Sequence, residues 1–524
     1  MFETNQEKKV GQQLRQWDID KQHVPPISRN LQENVEYLNR LLGIGYGPGN
    51  AWDLMAKPFR YGGLNMMAYV LNGFFTTTNL VLILDNFERQ ISEFVTRKQG
   101  QDFSIQELAE FLNTHIGFVQ VQPFADMGEL IRQILSGPMV IFIDGFDVAL
   151  LIDTRIYPMR SIGESEIERT VRGPRDGFVE TMLFNVALVR RRLKDPRIRT
   201  ELIQVGNRSK TDVTIMYLQD VTNPELVDNV RRSLTSIDVD AITMAEQAIT
   251  DHMMRVKWNP YPVVRYTERA DVAATALVDG HVLIIPDTTP EVIIAPVTFF
   301  QLLQNPGEYH SYPLVGTYMR WVVLLSVIVS TILPGLFLMV NLHPQVVPKE
   351  FSFFRADTTY PLPVWAQLLV AEIGLDILRM AVVNIPSVLA GSVSIVAAVI
   401  FGQFASKIQL FQPEVLVYMA FVMIAQFAIT SFELANANAL TRLFLILTTE
   451  AGFAVGIRGW GFILGLAAWV LLLATTRSLG VPYLWPLIPF RWKNGMQDVL
   501  LRKPMSTIRG RPPILFTRTA KRKG

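Results

Sequence analysis

The chain has 524 residues, 49% hydrophobic and 18% charged, with a formal net charge of +2. That length is too great for one ordinary domain, and the apolar excess argues against a wholly soluble protein. Cysteine is absent, which excludes disulfides, thiolate zinc sites and cysteine nucleophiles.

The first stretch, MFETNQEKKVGQQLRQWDIDKQ, has no apolar core, so it is not expected to act as a secretory signal. Residues 1–34 read as an N-terminal tail, and residues 35–155 as a first small α/β subdomain in the cytoplasm. Within it, MMAYVLNGFFTTTNLVLIL (66–84) and MVIFIDGFDVALLID (139–153) are β-type runs that reach Asn-Gly or Asp-Gly, which predicts hairpin turns. The residues after the first Asn-Gly also read as a helix. DFSIQELAEFLN (102–113) is an amphipathic helix with a capping start.

Residues 156–200 form a connecting motif, whose core is IERTVRGPRDGFVETMLFNVALVRRRLKDPRIR (167–199). Arg169, Arg172 and Arg175 recur every three residues, and Gly173, Pro174 and Gly177 break the chain before a helix. Asp176 is placed to cap that helix, expected to begin near Gly177. Phe178, Met182, Val186, Val189 and Leu193 define its buried face, and Arg190, Arg191 and Arg192 complement its C-terminal dipole. The arginines suit an anion at a helix N-terminus. They suit equally well bidentate pairs with Glu164, Glu166, Glu168 or a neighbouring subunit.

Residues 201–312 read as a second α/β subdomain. VTIMYLQDV (213–221) is a strand, and Asn223, Pro224 and Glu225 give the cap, first residue and first turn of a helix over 223–234. TALVDGHVLIIPDTTPEVIIAP (275–296) is a third β-type run with an Asp-Gly. No nucleotide-binding glycine loop, no Gly-x-Ser-x-Gly and no His-Glu-x-x-His occurs. His23, His115, His252, His281, His310 and His343 are scattered without metal spacing and read as surface or turn residues. An enzyme, a cofactor and a nucleic-acid partner are therefore not expected.

Charges are sparse from 316 to 480, and residues 313–480 read as a helical, polytopic membrane domain. Trp321 to Val340, Ser387 to Ser406, Val415 to Phe432 and Gly459 to Thr476 are uncharged and long enough, or nearly so, to cross a hydrocarbon core of about 30 Å. Residues 362–382, with Glu372, Asp376 and Arg379, and 443–457, with Glu450, make up to six segments. On a helical wheel Asp376 falls about 40° and Arg379 about −20° from Glu372, so the three share a face. Charges in a bilayer must face protein or water, and rings of acids select cations. The same three residues can instead pair with one another or between helices and fix packing, or mark a helix lying in the interface. Glu433 and Glu450 border apolar stretches. Gly391, Ala398 and Gly402 suit close helix contacts. Trp321, Trp365, Trp460 and Trp485 suit interfacial anchoring. Residues 481–524 read as a basic tail, with ten Lys or Arg after Phe490 against Asp498 alone, which predicts a cytoplasmic C-terminus and an even number of crossings.

Three long stretches carry a family resemblance. ERTVRGPRDGFVETMLFNVALVRRRLKDPRIR, YPVVRYTERADVAATALVDGHVLIIPDTTPEVIIAPVTFFQ (261–301) and RSLGVPYLWPLIPF (477–490) resemble, in order, the signatures of the A subunits of bacterial spore germinant receptors, the GerA family. SRNLQENVEYLNRLLG (28–43), QVGNRSKTDVTIMYLQD (204–220), LLVAEIGLDILRMA (368–381) and TRLFLIL (441–447) resemble an accessory branch of it. In FAITSFELANAN (427–438) this chain has Thr430 where the family usually has proline, which leaves open whether the helix breaks there. The resemblance implies a multi-pass protein of the spore inner membrane, homo-oligomeric and pentameric, forming an ion channel with a small membrane partner and other germination proteins. It also implies a part in amplifying ion release rather than in sensing nutrient. A transporter and a non-conducting scaffold are the rival classes; a transporter should show repeated, matched helix breaks, and none is evident.

Overall fold

The computed structural model describes residues 24–98, 100–116, 120–155, 172–254, 258–343, 360–384, 410–508 and 510–521. Arg169, Glu164, Glu166, Glu168, the stretch Ser387 to Ser406 and its small residues Gly391, Ala398 and Gly402 lie outside them. The chain divides into two compact units, the first comprising Met1–Lys257, Tyr266–Pro296 and Ile508–Gly524, the second Trp258–Arg265 and Val297–Thr507.

Among the described residues the first unit opens with helix α1 (Leu31–Leu42), followed by β1 (Leu54–Tyr61), β2 (Leu64–Leu71), α2 (Thr77–Lys98), α3 (Ile105–His115), β3 (Val121–Phe124), α4 (Met127–Ile134), β4 (Met139–Ile143) and β5 (Ala149–Ile152). Helix α5 (Met182–Arg192) leads into β6 (Ile198–Val205), β7 (Thr211–Leu218), α6 (Pro224–Thr235), α7 (Ala245–Met254), β8 (Arg265–Thr267), α8 (Ala270–Asp279), β9 (Val282–Pro286) and β10 (Val292–Ala295). The two sheets run β1-β2-β4-β5-β3 and β6-β7-β9-β10-β8. From β1 and from β6 onward the elements follow one pattern, two strands, two helices, a strand, a helix and two strands. The unit is thus a topological duplication, which its sequence does not announce.

Side chains alternate across the first sheet and feed two cores, as a strand period of two requires. Tyr69, Leu71, Val140 and Phe142 pack with Leu38, Leu42, Leu130 and Ile134 of α1 and α4. Ala68, Val70, Ile141 and Ile143 pack with Phe87, Ile91, Leu108 and Leu112 of α2 and α3. In the second sheet, Met216, Leu218, Leu283 and Ile285 pack against α5 and α8.

Of the three predicted hairpin turns only one forms: Asp144-Gly145 lies in the loop between β4 and β5. After Asn72-Gly73 the chain enters α2, and Gly280 closes α8 in the left-handed region (φ 101°). A positive φ serves a helix C-cap as well as a hairpin, so the dipeptide alone does not decide between them. The second helix cap reads as expected, with Asn223 Oδ1 accepting from Glu225 N.

The second unit contains α9 (Pro313–Leu342), α10 (Val364–Asn384), α11 (Pro413–Phe427), α12 (Phe432–Ala454) and α13 (Trp460–Thr475), then a minimal hairpin of β11 (Arg477–Ser478) and β12 (Val481–Pro482). Among the described residues, α9 alone is long and apolar enough to cross a membrane by length and composition; α11 and α13 are apolar but shorter. Its 30 residues span about 45 Å. The apolar run 415–432 forms α11 as far as Phe427 and ends in the break before α12, whereas 443–457 is only part of α12, which begins at Phe432 and takes in both Arg442 and Glu450. Helices α12 and α13 approach at Gly452 and Gly461, where an added Cβ on Gly461 would lie 2.5 Å from Thr448 O. Small residues permit such close backbone contact.

The basic C-terminal stretch is folded rather than trailing. Arg511 Nε donates to Val278 O of α8 at 2.8 Å and Arg518 N to Val221 O, in the loop after β7, at 2.9 Å, which returns the chain to the first unit.

Candidate functional site

In the connecting motif Arg172 and Arg175 are exposed, and Gly173 takes a φ of 116°. Asp176 does not cap α5, which starts five residues beyond Gly177. Its carboxylate instead accepts from Arg192 Nη2 at 2.6 and 2.7 Å. The cap comes from the other long signature: Asp287 Oδ1 accepts Met182 N at 2.9 Å, and Thr288 N donates to Glu180 O. Gly177 bridges Arg269, and Phe178 N donates to Glu268 O at 2.7 Å. The stretches 167–199 and 261–301 are thus tied together by hydrogen bonds.

Helix α5 serves both sheets, with Ala187 in the core of the first and Met182, Val186 and Val189 in that of the second. Arg190, expected at the helix end as a dipole partner, is 1% exposed and pairs with Asp53 at 2.7 and 2.9 Å. Thr200 Oγ1 donates to the same carboxylate at 2.5 Å. Beside it, Arg199 donates to Leu41 O and Leu42 O at the C-terminus of α1, where a cation meets the negative end of the helix dipole. An added Cβ on Gly43 (φ 65°) would lie 2.7 Å from Arg199 Nε, so this position requires glycine on both counts. Burial, aided by the Arg190 charge, brings the Arg199 guanidinium down to about 10. Burial pushes the Glu201 carboxyl up, but hydrogen bonds from Arg231, Tyr217 and Gly49 outweigh it and hold it below its ordinary value.

In the second unit, Glu372 on α10 pairs with Arg442 on α12, and the two side chains are 1% and 2% exposed. Arg442 also donates to Ser330 O of α9 at 2.6 Å and to Gln426 Oε1 of α11 at 3.1 Å, so four helices meet at one guanidinium. Asp376 and Arg379 pair one turn along α10 at 3.2 Å and remain half-buried. The three residues predicted to share a face therefore divide between two pairs. A second buried pair, Glu308 with Arg320 (2.8 and 3.0 Å), fixes the start of α9, where Arg320 Nη1 also donates to Leu501 O.

Asp53, Asp287 and Arg442 escaped the sequence reading. A cation inside an apolar run is a usable signal for Arg442; Asp53 and Asp287 carry none. Trp321 and Trp460 are exposed, whereas Trp485 is buried. His281 is buried rather than at the surface, with Nδ1 2.7 Å from Pro296 O.

The third signature closes around the second. Ser478 Oγ donates to Val263 O at 2.6 Å and accepts Val297 N at 3.0 Å, and Phe299 N donates to Tyr483 O. Residues 47–514 match the model of the Bacillus/Clostridium GerA spore germination protein family. The chain belongs to that family. It is 35% identical to stage V sporulation protein AF of Bacillus subtilis (strain 168), over 93% of this chain and 96% of the relative. It is 32% identical to spore germination protein KA of the same organism, over 79% and 76%. It is 29% identical to the uncharacterized membrane protein YfkQ, over 93% and 91%. Among solved structures, the N-terminal domain of the A subunit of the Bacillus megaterium germinant receptor GerK3 is 26% identical, with a TM-score of 0.40, covering 53% of this chain and 98% of that one.

The GerA-family chain keeps its helix break without the proline. Helix α11 ends at Phe427, and α12 starts at Phe432 with Ser431 Oγ accepting Leu434 N at 3.2 Å. A serine N-cap supplies the stop and restart that proline would otherwise enforce.

Proposed function

We propose that this GerA-family chain is an integral, multi-pass subunit of the spore germination machinery that assembles with its own copies into a cation channel in the spore inner membrane. Its two α/β subdomains and C-terminal segment lie on the cytoplasmic side, and it works with a small membrane partner and other germination proteins. The role is read as non-enzymatic and cofactor-free. One observation carries the reading beyond family membership: Glu372, Asp376, Arg379 and Arg442 gather among the apolar helices of the second unit. A bilayer tolerates such charges where they meet protein or a water-filled path. The test is potassium efflux from liposomes carrying the purified full-length chain, with and without the membrane partner. Efflux above protein-free liposomes is expected.

A second reading, a non-conducting accessory subunit, draws on the pairing of Glu372 with Arg442 inside one protomer, which packing alone would also produce. Liposomes that stay tight under every condition select it.

A further inference from the structure

We infer that the two acids of α10 have separate roles: Asp376 faces the water path of the channel and sets its preference for cations, while Glu372 holds the helices behind it. The inference rests on the channel reading above.

Glu372 is closed off within a single protomer. Its side chain is 1% exposed, and that of its partner Arg442 2%. Assembly can only bury more surface, so no arrangement of neighbouring copies exposes Glu372 while this pair holds. Arg442 is further tied to Ser330 O and Gln426 Oε1. Glu372 thus acts through packing, as the anchor of α10 against three other helices.

Asp376 stands differently. Its side chain is 33% exposed against 22% for Arg379. Arg379 leans back over the ring of Phe432, 5.9 Å from its centroid. Of the two carboxylates and two guanidiniums, the Asp376 carboxylate is the most open. Its neighbours Ile373 and Ile377 are 51% and 62% exposed and suit lipid or protein, but a carboxylate does not suit lipid.

A void connects the two pairs. Glu372, Asp376, Arg379, Gln426 and Arg442 line it, with Met423 and Phe427. It has room for about one water molecule. Arg442 Nε, buried and without a hydrogen-bond partner among the described residues, supplies a donor for that water. The five polar side chains thus run from the buried lock out to Asp376 between the apolar Leu375, Val422, Met423 and Phe427, and the half-open Asp376 carboxylate favours water rather than lipid at its open side. In an oligomer the repeated carboxylate forms an acidic ring, the arrangement that selects cations.

The chain has no cysteine, so single cysteines report accessibility without background. Full-length Asp376→Cys and Glu372→Cys are reconstituted separately in liposomes, treated with a charged, water-soluble methanethiosulfonate, and followed by mass spectrometry and potassium flux. The Asp376→Cys chain should react about tenfold faster or more, and lose flux as it reacts. Equal rates, or faster reaction at position 372, overturn the assignment. Asp376→Asn and Glu372→Gln give a second readout. The first should lower the potassium-over-chloride permeability ratio at wild-type oligomer yield, and the second should leave the ratio unchanged while lowering thermal stability. The reverse pattern also overturns the assignment. Wild-type liposomes without flux sink the channel reading, while the modification rates still decide which position meets water.

Discussion

Arg190 and Asp53 form a bidentate ion pair across 137 residues of sequence, with both side chains 1% exposed. Asp53 lies just before β1, and Arg190 lies on the helix that feeds both cores of the first unit. The pair therefore fastens one sheet to the helix shared with the other. Removing either partner leaves a buried charge alone, which typically costs about 3–5 kcal/mol. Arg190→Ala and Asp53→Ala should each lower the thermal unfolding midpoint of the detergent-solubilised chain by many degrees. A midpoint close to wild type would show that the pair does not hold the unit.

Glu201 should contribute to the acid sensitivity of the first unit, beside Asp153, Asp195 and Asp271, whose carboxyls, despite burial, are also held below their ordinary values by neighbouring arginines. The folded Glu201 carboxyl titrates below the ordinary 4.5 because Arg231, Tyr217 and Gly49 favour the charged form. A depressed acid contributes stability that is present above the unfolded value and lost as pH falls through the folded one. Urea unfolding should thus be constant near pH 6 and weaken below about pH 4.5. Glu201→Gln should be less stable near neutrality and show a flatter acid limb. An unchanged limb in the variant would assign the effect to other carboxyls.

The lock at Arg442 should show strong coupling. Glu372→Leu or Arg442→Leu alone strands a charge among four helices and should cost about 3 kcal/mol or more. The double variant replaces the pair by apolar groups and should recover much of that loss, because a desolvated pair is often no better than hydrophobic packing. The midpoints of the four proteins in detergent form the cycle. A double variant as unstable as the sum of the singles would show that the two residues act independently.

Thr430→Pro should be tolerated. The break between α11 and α12 already exists, Ser431 caps the second helix, and the Thr430 hydroxyl is buried without a partner among the described residues. Proline there loses no side-chain hydrogen bond and restrains the unfolded chain. A change in midpoint within about 1 °C is expected, the scale of ~1 kcal/mol or less for a chain of this size. A large drop would show that the backbone at this position needs a conformation proline cannot adopt.

Local features were legible from residue order. The cap at Asn223, the apolar face of α5 and the apolar run of α9 all depend on neighbours within a few turns. The hairpin assigned to Asp279-Gly280 failed for an equally local reason, since a positive φ ends a helix as readily as it turns a hairpin.

By itself, then, the sequence determined that two α/β segments precede a run of apolar helices, that cysteine chemistry is absent, and that three long stretches carry the GerA pattern. These come from composition, periodicity and contiguous residues. Only the tertiary structure decided that Asp287 caps α5 across 105 residues, that Arg190 belongs to Asp53, and that Glu372 belongs to Arg442 across 70 rather than to Arg379 on its own helix. The reason is physical: a buried charge takes the partner that burial brings against it in space, and no spacing in the chain encodes that choice.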